Sequence, residues 1–301
     1  MPQSPQPPQP TNTSKSLQPS FLEKVQSIAY LGPGGSYTEM AKDIFCQKYG
    51  LNVHLEPLNS IKRVLEYVDE NPFSVGVLPI ENSIEGAVRE TIDNLIRTKN
   101  DNIRILSEIV MPIKHCLLAR TTEISSITGV ISHPQALAQC QNFIHNELPM
   151  HLNLLEVAST AEAARSLQDY NLTYAAIGSE KTAELYNLNV LRENINDEPD
   201  NQTRFVLVGD FETPQTQNDN TTLAFSTQNR PGALLDILQI FHNYGINLSY
   251  IDSRPSKIKF GEYTFFVIFD GHVLDEKNSK AIGEIKTHTH YFRVVGAYEK
   301  F

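Results

Sequence analysis

The segment ITGVISHPQALAQC, residues 127–140, runs from an apolar stretch through a polar break straight into a helical pattern. Ile127, Val130 and Ile131 read as a buried strand, and Ser132 or His133 is placed to cap the helix that Pro134 opens. Free backbone N–H groups at such a helix start make a place for an anion. Ser132 adds a hydroxyl, and Gln135 and Gln139, four residues apart, share one helix face. Related breaks occur elsewhere. VGVLPIENSIEGAV, starting at Val75, stops at Glu81-Asn82-Ser83. SIAYLGPGGSYTEMA, starting at Ser27, turns through Gly32–Thr38, with Ser36 before a helix. In NQTRFVLVG the order is inverted, and Asn201, Thr203, Arg204 and Phe205 lead into a strand. Open α/β sheets bind ligands beyond their strand ends, so these loops are expected to share a crevice of hydroxyls, amides and one arginine. The 32–38 loop lacks Gly-Lys-Ser/Thr, so it is no nucleotide P-loop.

The elements that hold these loops alternate. Candidate strands cover 27–31, 52–56, 74–79, 103–109, 113–119, 127–132, 153–157, 173–178 and 204–209, with helices at 36–49, 60–69, 87–97, 135–146, 160–168 and 179–186. That rhythm predicts an α/β unit and leaves open whether it has one sheet or two. Residues 211–220 have no apolar periodicity and read as a linker. From 221 to 301 the order is βαββαβ, a small α+β unit. Its first helix draws a broad apolar face from Leu234, Leu235, Ile237, Leu238, Ile240 and Phe241. Residues 1–26 form a Pro/Gln/Ser-rich tail, expected to be disordered.

A length of 301 residues suggests about two domains, and the 40% of residues that are hydrophobic can fill their cores. The net charge of −10 argues against nucleic acid or an anionic membrane as partner. No apolar run is long enough to span a bilayer. Cys46, Cys116 and Cys140 form no CxxC pair and fit reduced thiols in the cytoplasm, with Cys140 a packing residue. The histidines show no metal-binding spacing. An acidic chain that binds an acid must concentrate positive potential locally, and Arg204 and the helix starts at 34–38 and 132–135 are the candidates.

GPGGSYTEMA (32–41), LPIENSIEGAV (78–88), SHPQALAQC (132–140), AAIGSEKTAELYNL (175–188) and NQTRF (201–205), in that order, resemble the prephenate dehydratase family. NRPGALLDIL (229–238) and INLSYIDSRP (246–255) resemble its regulatory ACT tail. The resemblance implies a bilobal catalytic domain at 27–210, like a periplasmic binding protein, with a second lobe at about 110–195. The chain would cross near Ile109–Pro112 and return through 193–203, in a segment expected to be mobile. The active site lies in the cleft, and an ACT domain covers 221–301. The implied reaction is decarboxylating dehydration of prephenate to phenylpyruvate in phenylalanine biosynthesis, inhibited by phenylalanine, with no cofactor or metal.

In that reaction the ring hydroxyl and a carboxylate leave together, so no strong base is required. The transition state needs a donor at the departing oxygen, positioning, and neutralisation of two carboxylates. By resemblance, Thr203 is the donor, through proton transfer or electrostatic assistance. Asn82, Ser132 and Gln139 orient the substrate, and Ser36, Ser83 and Phe205 contact it. Glu81 is catalytic or caps a helix, and Arg204 faces a carboxylate or braces its loop. Phenylalanine would bind where two ACT modules meet in a homodimer or homotetramer. The residues implied are Gly232, Ala233, Leu234, Leu235, Asn247, Asp252, Ser253, Arg254 and Pro255. Asp252 stands where the family usually has glutamate, which is expected to weaken sensing. A chain ending near Asp210 is expected to remain active and insensitive to the effector. Two alternatives stay open: arogenate dehydratase, and a non-catalytic bilobal binding or sensor protein.

Overall fold

The computed structural model describes residues 21–256 and 261–300. In the first lobe, parallel strands β1 (Ser27–Leu31), β2 (His54–Leu58) and β3 (Ser74–Asn82) are joined by α1 (Tyr37–Tyr49) and α2 (Ile61–Glu70). Ile61, Val64, Leu65 and Val68 recur at helical spacing and bury the sheet-facing stripe of α2. The two-residue strand β4 (Gly86–Ala87) folds back on the end of β3, ahead of α3 (Arg89–Arg97). Strand β5 (Arg104–Pro112) completes the outward path, and 113–115 cross to the second lobe.

The second sheet has β6 (Cys116–Ala119), β7 (Gly129–Ser132), β8 (Asn153–Glu156), β9 (Tyr174–Gly178) and β10 (Asn189–Arg192), in the order β10-β6-β9-β7-β8. Its helices are α4 (Pro134–Ala138), α5 (Gln141–Glu147), α6 (Thr160–Ser166) and α7 (Glu180–Tyr186). Ser36, Ser60, Ser159 and Ser179 cap α1, α2, α6 and α7, each accepting a backbone N–H from three residues on. The helix expected over 135–146 is broken at Gln139–Cys140, because Cys140 leaves helical geometry at φ −127°, ψ 22°.

The return strand β11 (Gln202–Gly209) runs antiparallel between β3 and β5, so the lobes share two crossings. The return segment is packed, contrary to the expectation of mobility. Ile195 is buried, and the Asn196 side chain accepts from His115 N and donates to Ile113 O. A second tie joins the lobes beside α1: Ser179 and Thr182 hydroxyls donate to Gly35 O, and Lys181 pairs with Asp43.

The C-terminal unit contains β12 (Asp219–Thr227), α8 (Ala233–Asn243), β13 (Leu248–Pro255), β14 (Tyr263–Asp270), α9 (Glu276–Thr287) and β15 (Thr289–Glu299). It is not a separate bead on a linker. β15 meets β5 at Gly296–Ile105, so one sheet runs β13-β14-β12-β15-β5-β11-β3-β1-β2. Phe266, Ile268, Val295 and Tyr298 share a core with Ile92, Leu95, Ile103 and Val206. The linker is pinned as well: Thr213 donates to Ala297 O, and Phe211 stacks on Phe21 at 5.3 Å between ring centroids. The 1–26 tail call is therefore corrected at its end, since Phe21, Leu22 and Val25 are buried in the first lobe. Residues 1–20 lie outside the described residues.

Candidate active site

A cavity of about 890 Å³ opens between the two lobes. Three helix starts line it: Ser36-Tyr37-Thr38, His133 with Gln135, and Ser159-Thr160. Asn82, His115, Gln139, Thr203 and Phe205 complete its polar and aromatic walls. Strand geometry explains part of this set. Alternate residues of a strand face one way, so Thr203 and Phe205 enter the cleft while Arg204 points behind it. Thr203 lies opposite Asn82 in the β11–β3 register, which brings the two motifs into contact.

Asn82 has one possible orientation. Its Oδ1 accepts the N–H groups of Ile84 and Glu85, both at 3.0 Å. Its Nδ2 therefore donates towards Asn201 Oδ1 at 2.8 Å, Thr203 Oγ1 at 2.9 Å and Gln202 O at 3.0 Å, two protons among three acceptors. Asn201 Nδ2 donates in turn to Gln139 Oε1 at 3.0 Å. A hydroxyl has one proton to give and lone pairs to receive. Because Thr203 Oγ1 receives the amide, its own proton remains free to donate. Thr203, Asn82 and Gln139 are all buried, so these dipoles act with little competition from solvent.

Other expected ligands are placed elsewhere. Arg204 Nη1 donates to Glu108 Oε2 at 2.9 Å, and its Nε lies 3.2 Å from Glu81 Oε2, an ion contact whose N–H points aside. Burial works against the Arg204 charge, but Glu108 and Glu81 outweigh it and raise the guanidinium pKa. Arg204 thus pairs with Glu108 and Glu81 behind the cleft, and neither Arg204 nor Glu81 lines the cavity. Ser132 is fully buried, and its Oγ donates to Ile177 O at 2.8 Å, tying β7 to β9. His133, through Nδ1, caps α4 instead. Ser83 Oγ accepts from Gln202 N at an exposed edge outside the cavity. Ser36 lines the cleft as a cap, with Oγ also donating to Leu31 O. Cys140 is buried among apolar residues, and burial pushes its thiol up to about 12, which suits packing and not nucleophilic attack.

The comparisons with known proteins agree with this architecture. The prephenate dehydratase family model matches residues 28–213, and the ACT domain model matches 221–286. The chain belongs to the prephenate dehydratase family. The bifunctional chorismate mutase/prephenate dehydratase of Aquifex aeolicus is 39% identical over 280 residues, covering 93% of this chain and 75% of the relative. The prephenate dehydratase of Methanocaldococcus jannaschii is 38% identical, covering 92% of this chain and 99% of its own. Among solved structures, prephenate dehydratase from Arthrobacter aurescens in complex with L-Phe superposes with a TM-score of 0.81 at 33% identity, over 91% and 90% of the two chains. The family makes this chain a carbon–oxygen lyase of aromatic amino acid biosynthesis with a C-terminal ACT domain.

Prephenate dehydratase chemistry handles a dianion, yet no lysine or arginine lines this cleft among the described residues. The positive ends available are the helix starts, above all the first turn of the 13-residue helix α1. Asn201 was named from sequence but given no role, and His115 was not singled out. Asn201 stood inside a quoted motif, and His115 gave no signal beyond a polar residue in an apolar run.

The effector residues of the ACT unit are spread over two places. Gly232 takes φ +82° at the start of α8, with Ala233 buried, Leu234 half-buried and Leu235 64% exposed. Asp252, Ser253, Arg254 and Pro255 lie on the edge strand β13, where Arg254 Nε donates to Asp93 Oδ1 of α3 at 2.8 Å. Asn247 Nδ2 donates to Asp270 Oδ2 at 2.9 Å. Strand β14 separates β13 from β12, so one chain does not bring the two motifs onto neighbouring strands. Among the described residues, no helix is long and apolar enough to cross a membrane.

Proposed function

We propose that the interlobe cleft carries out the decarboxylating dehydration of prephenate, with Thr203 donating to the departing ring hydroxyl. The observation that carries this reading is the amide hydrogen bond from Asn82 to Thr203 Oγ1. As the threonine proton moves towards the leaving oxygen, charge builds on Oγ1, and the Asn82 N–H already points at that atom. The carbon–oxygen bond and the carboxylate carbon–carbon bond break together, and the electrons left by carbon dioxide complete the aromatic ring. Gln139 and the α1 start supply neutral donors to the carboxylates, and Phe205 offers a wall for the ring. The cytoplasm suits three cysteines that form no disulfide. Steady-state kinetics test the assignment: Thr203→Ala should lower kcat about 10²-fold, the low end for a positioned acid, with KM changing less. A near-wild-type kcat removes Thr203 from the role. Comparing kcat/KM for prephenate and arogenate in the unmodified chain fixes the substrate.

Regulation by phenylalanine is part of the same proposal. The free edge of β13, the exposed Ile251 beside Asp252, and the exposed Leu235 offer a self-complementary face for a second copy. In a twofold dimer the Gly232–Leu235 turn of one copy would meet the partner's β13 and enclose the amino acid. Buried Asp252 Oδ2 has no hydrogen-bond partner among the described residues, which supports an acceptor waiting for an ammonium group. Sedimentation with and without phenylalanine tests this: a monomer in both conditions rejects it.

A further inference from the structure

His115 lines the cleft, is 3% exposed, and belongs to the crossing segment between the lobes. Its backbone is held by the return segment: His115 N donates to Asn196 Oδ1 at 2.7 Å, and His115 O accepts from Ile195 N at 3.0 Å. Its ring lies between Tyr37 and Gln139, with Nδ1 3.2 Å from Tyr37 Oη and Nε2 3.3 Å from Gln139 Oε1. The function proposed above leaves this ring without a task.

The amide chain assigns one. Asn82 is fixed by its two backbone donors, so Asn201 must turn its oxygen to Asn82 and its NH2 to Gln139. Gln139 therefore presents Oε1 inward, and the atom facing that oxygen on its other side is His115 Nε2. A lone pair on Nε2 would oppose the amide oxygen, so the proton must be there. The Tyr37 hydroxyl donates to Lys114 O at 2.6 Å, and the unprotonated Nδ1, 3.2 Å from Tyr37 Oη, takes at most a share of that one proton. With its oxygen held by two donors, Gln139 must direct its NH2 the other way. There the side chain finds Glu85 Oε1 at 3.4 Å and keeps a further N–H for a ligand.

We propose that His115 is a positioning residue that locks the Gln139 carboxamide with its NH2 towards the substrate. It acts through Gln139. This inference rests on the dehydratase reading of the cleft, so its tests include one that needs no turnover. Without the Nε2–H donor, Gln139 is free to rotate and to offer its oxygen to an anionic substrate. The interaction lost is one neutral hydrogen bond, so a rise of about 3- to 10-fold in KM is expected, with kcat falling less.

The experiment compares His115→Leu with His115→Gln in the full chain, using prephenate. The Leu variant should show that KM rise, and the Gln variant, which can return an N–H to the same place, should recover most of it. His115→Leu in a Gln139→Ala background should add almost nothing, because the residue through which it acts is gone. Nitrogen-15 NMR of the histidine-labelled wild-type chain should show His115 neutral and protonated on Nε2 at pH 7, whether or not prephenate is turned over. Equal kinetic defects in the Leu and Gln variants would reduce His115 to packing. An additive effect in the Gln139→Ala background, or an Nδ1-protonated ring, would also overturn the proposal. Failure of wild type to turn over prephenate, with the Nε2 tautomer present, would instead count against the functional reading.

Discussion

Replacing Arg204 with leucine separates a brace from a ligand. In the folded chain, Glu108 has a side chain only 3% exposed and accepts from Arg204 at 2.9 Å and from Asn220 Nδ2 at 2.9 Å. At that separation and an effective dielectric of about 20, the ion pair contributes roughly 6 kcal/mol before desolvation is counted. Removing the guanidinium leaves a buried carboxylate with only neutral partners, Asn220 and Tyr298, and breaking a buried pair from one side costs about 3–5 kcal/mol. Glu81 is 30% exposed, so its part in the loss should be below about 1 kcal/mol. Arg204→Leu should therefore lower the unfolding free energy by about 3–5 kcal/mol in urea at pH 7, while KM for prephenate in the fraction still folded stays within about twofold. Adding Glu108→Gln should return most of that stability, because an amide buried beside Asn220 needs no counter-ion. The reasoning fails if Arg204→Leu keeps its urea midpoint and raises KM tenfold, since the arginine would then be reaching the substrate.

Asn82→Asp replaces the donor to Thr203 with a carboxylate, and kcat should fall about 10²-fold; a Thr203→Ala/Asn82→Asp double variant should fall little further, because the two act as a unit. For His115, burial pushes the pKa down from 6.5 to about 4, partly opposed by the hydrogen bond to Gln139. The unfolded chain then takes up the proton first, so the stability due to the neutral ring is full above about pH 6.5 and is lost as pH falls towards 4. Urea titrations between pH 7 and 4 should show wild type losing about 3 kcal/mol more than His115→Gln, and identical slopes would contradict it. Gly296→Val would place a Cβ 2.4 Å from Ile105 O and 2.9 Å from Ile105 N, backbone atoms that cannot turn aside. Its melting temperature should drop by several degrees, corresponding to about 1–3 kcal/mol of overpacking.

The alternation of elements was legible because apolar periodicity reports which backbone geometry can bury a given set of side chains. β1, α1, α2 and β9 fall within a residue or two of their expected ends. Periodicity also carried an unused warning: in NQTRF, Thr203 and Arg204 are neighbours on a strand and so cannot enter the same cleft. Ser132 looked like a ligand because it ends a strand, but a four-residue strand buried on both sides leaves its last hydroxyl inside the sheet. His115 was invisible because its role depends on Asn201, Gln139 and Tyr37, which are brought together only by the two crossings between lobes. The expectation of an active chain ending near Asp210 took no account of a shared core, for a related reason. An apolar face on α3 shows that something covers it, and sequence does not say that the cover comes from Phe266, Ile268, Val295 and Tyr298.

The sheet that continues from β11 through β5 into β15 also sets a timetable for synthesis. The last strand of the bilobal unit leaves the ribosome at Gly209, but its neighbour across β5 is not finished until Glu299. At about 5–20 residues per second, those roughly ninety residues take about 5–20 s to emerge. Until β15 arrives, β5 has an open edge, Ile92, Leu95 and Ile103 lack the cover of Val295 and Tyr298, and Glu108 has Arg204 but not Tyr298. The nascent chain is therefore most exposed to chaperones and to mispairing after its active-site residues have been made and before its last strand arrives.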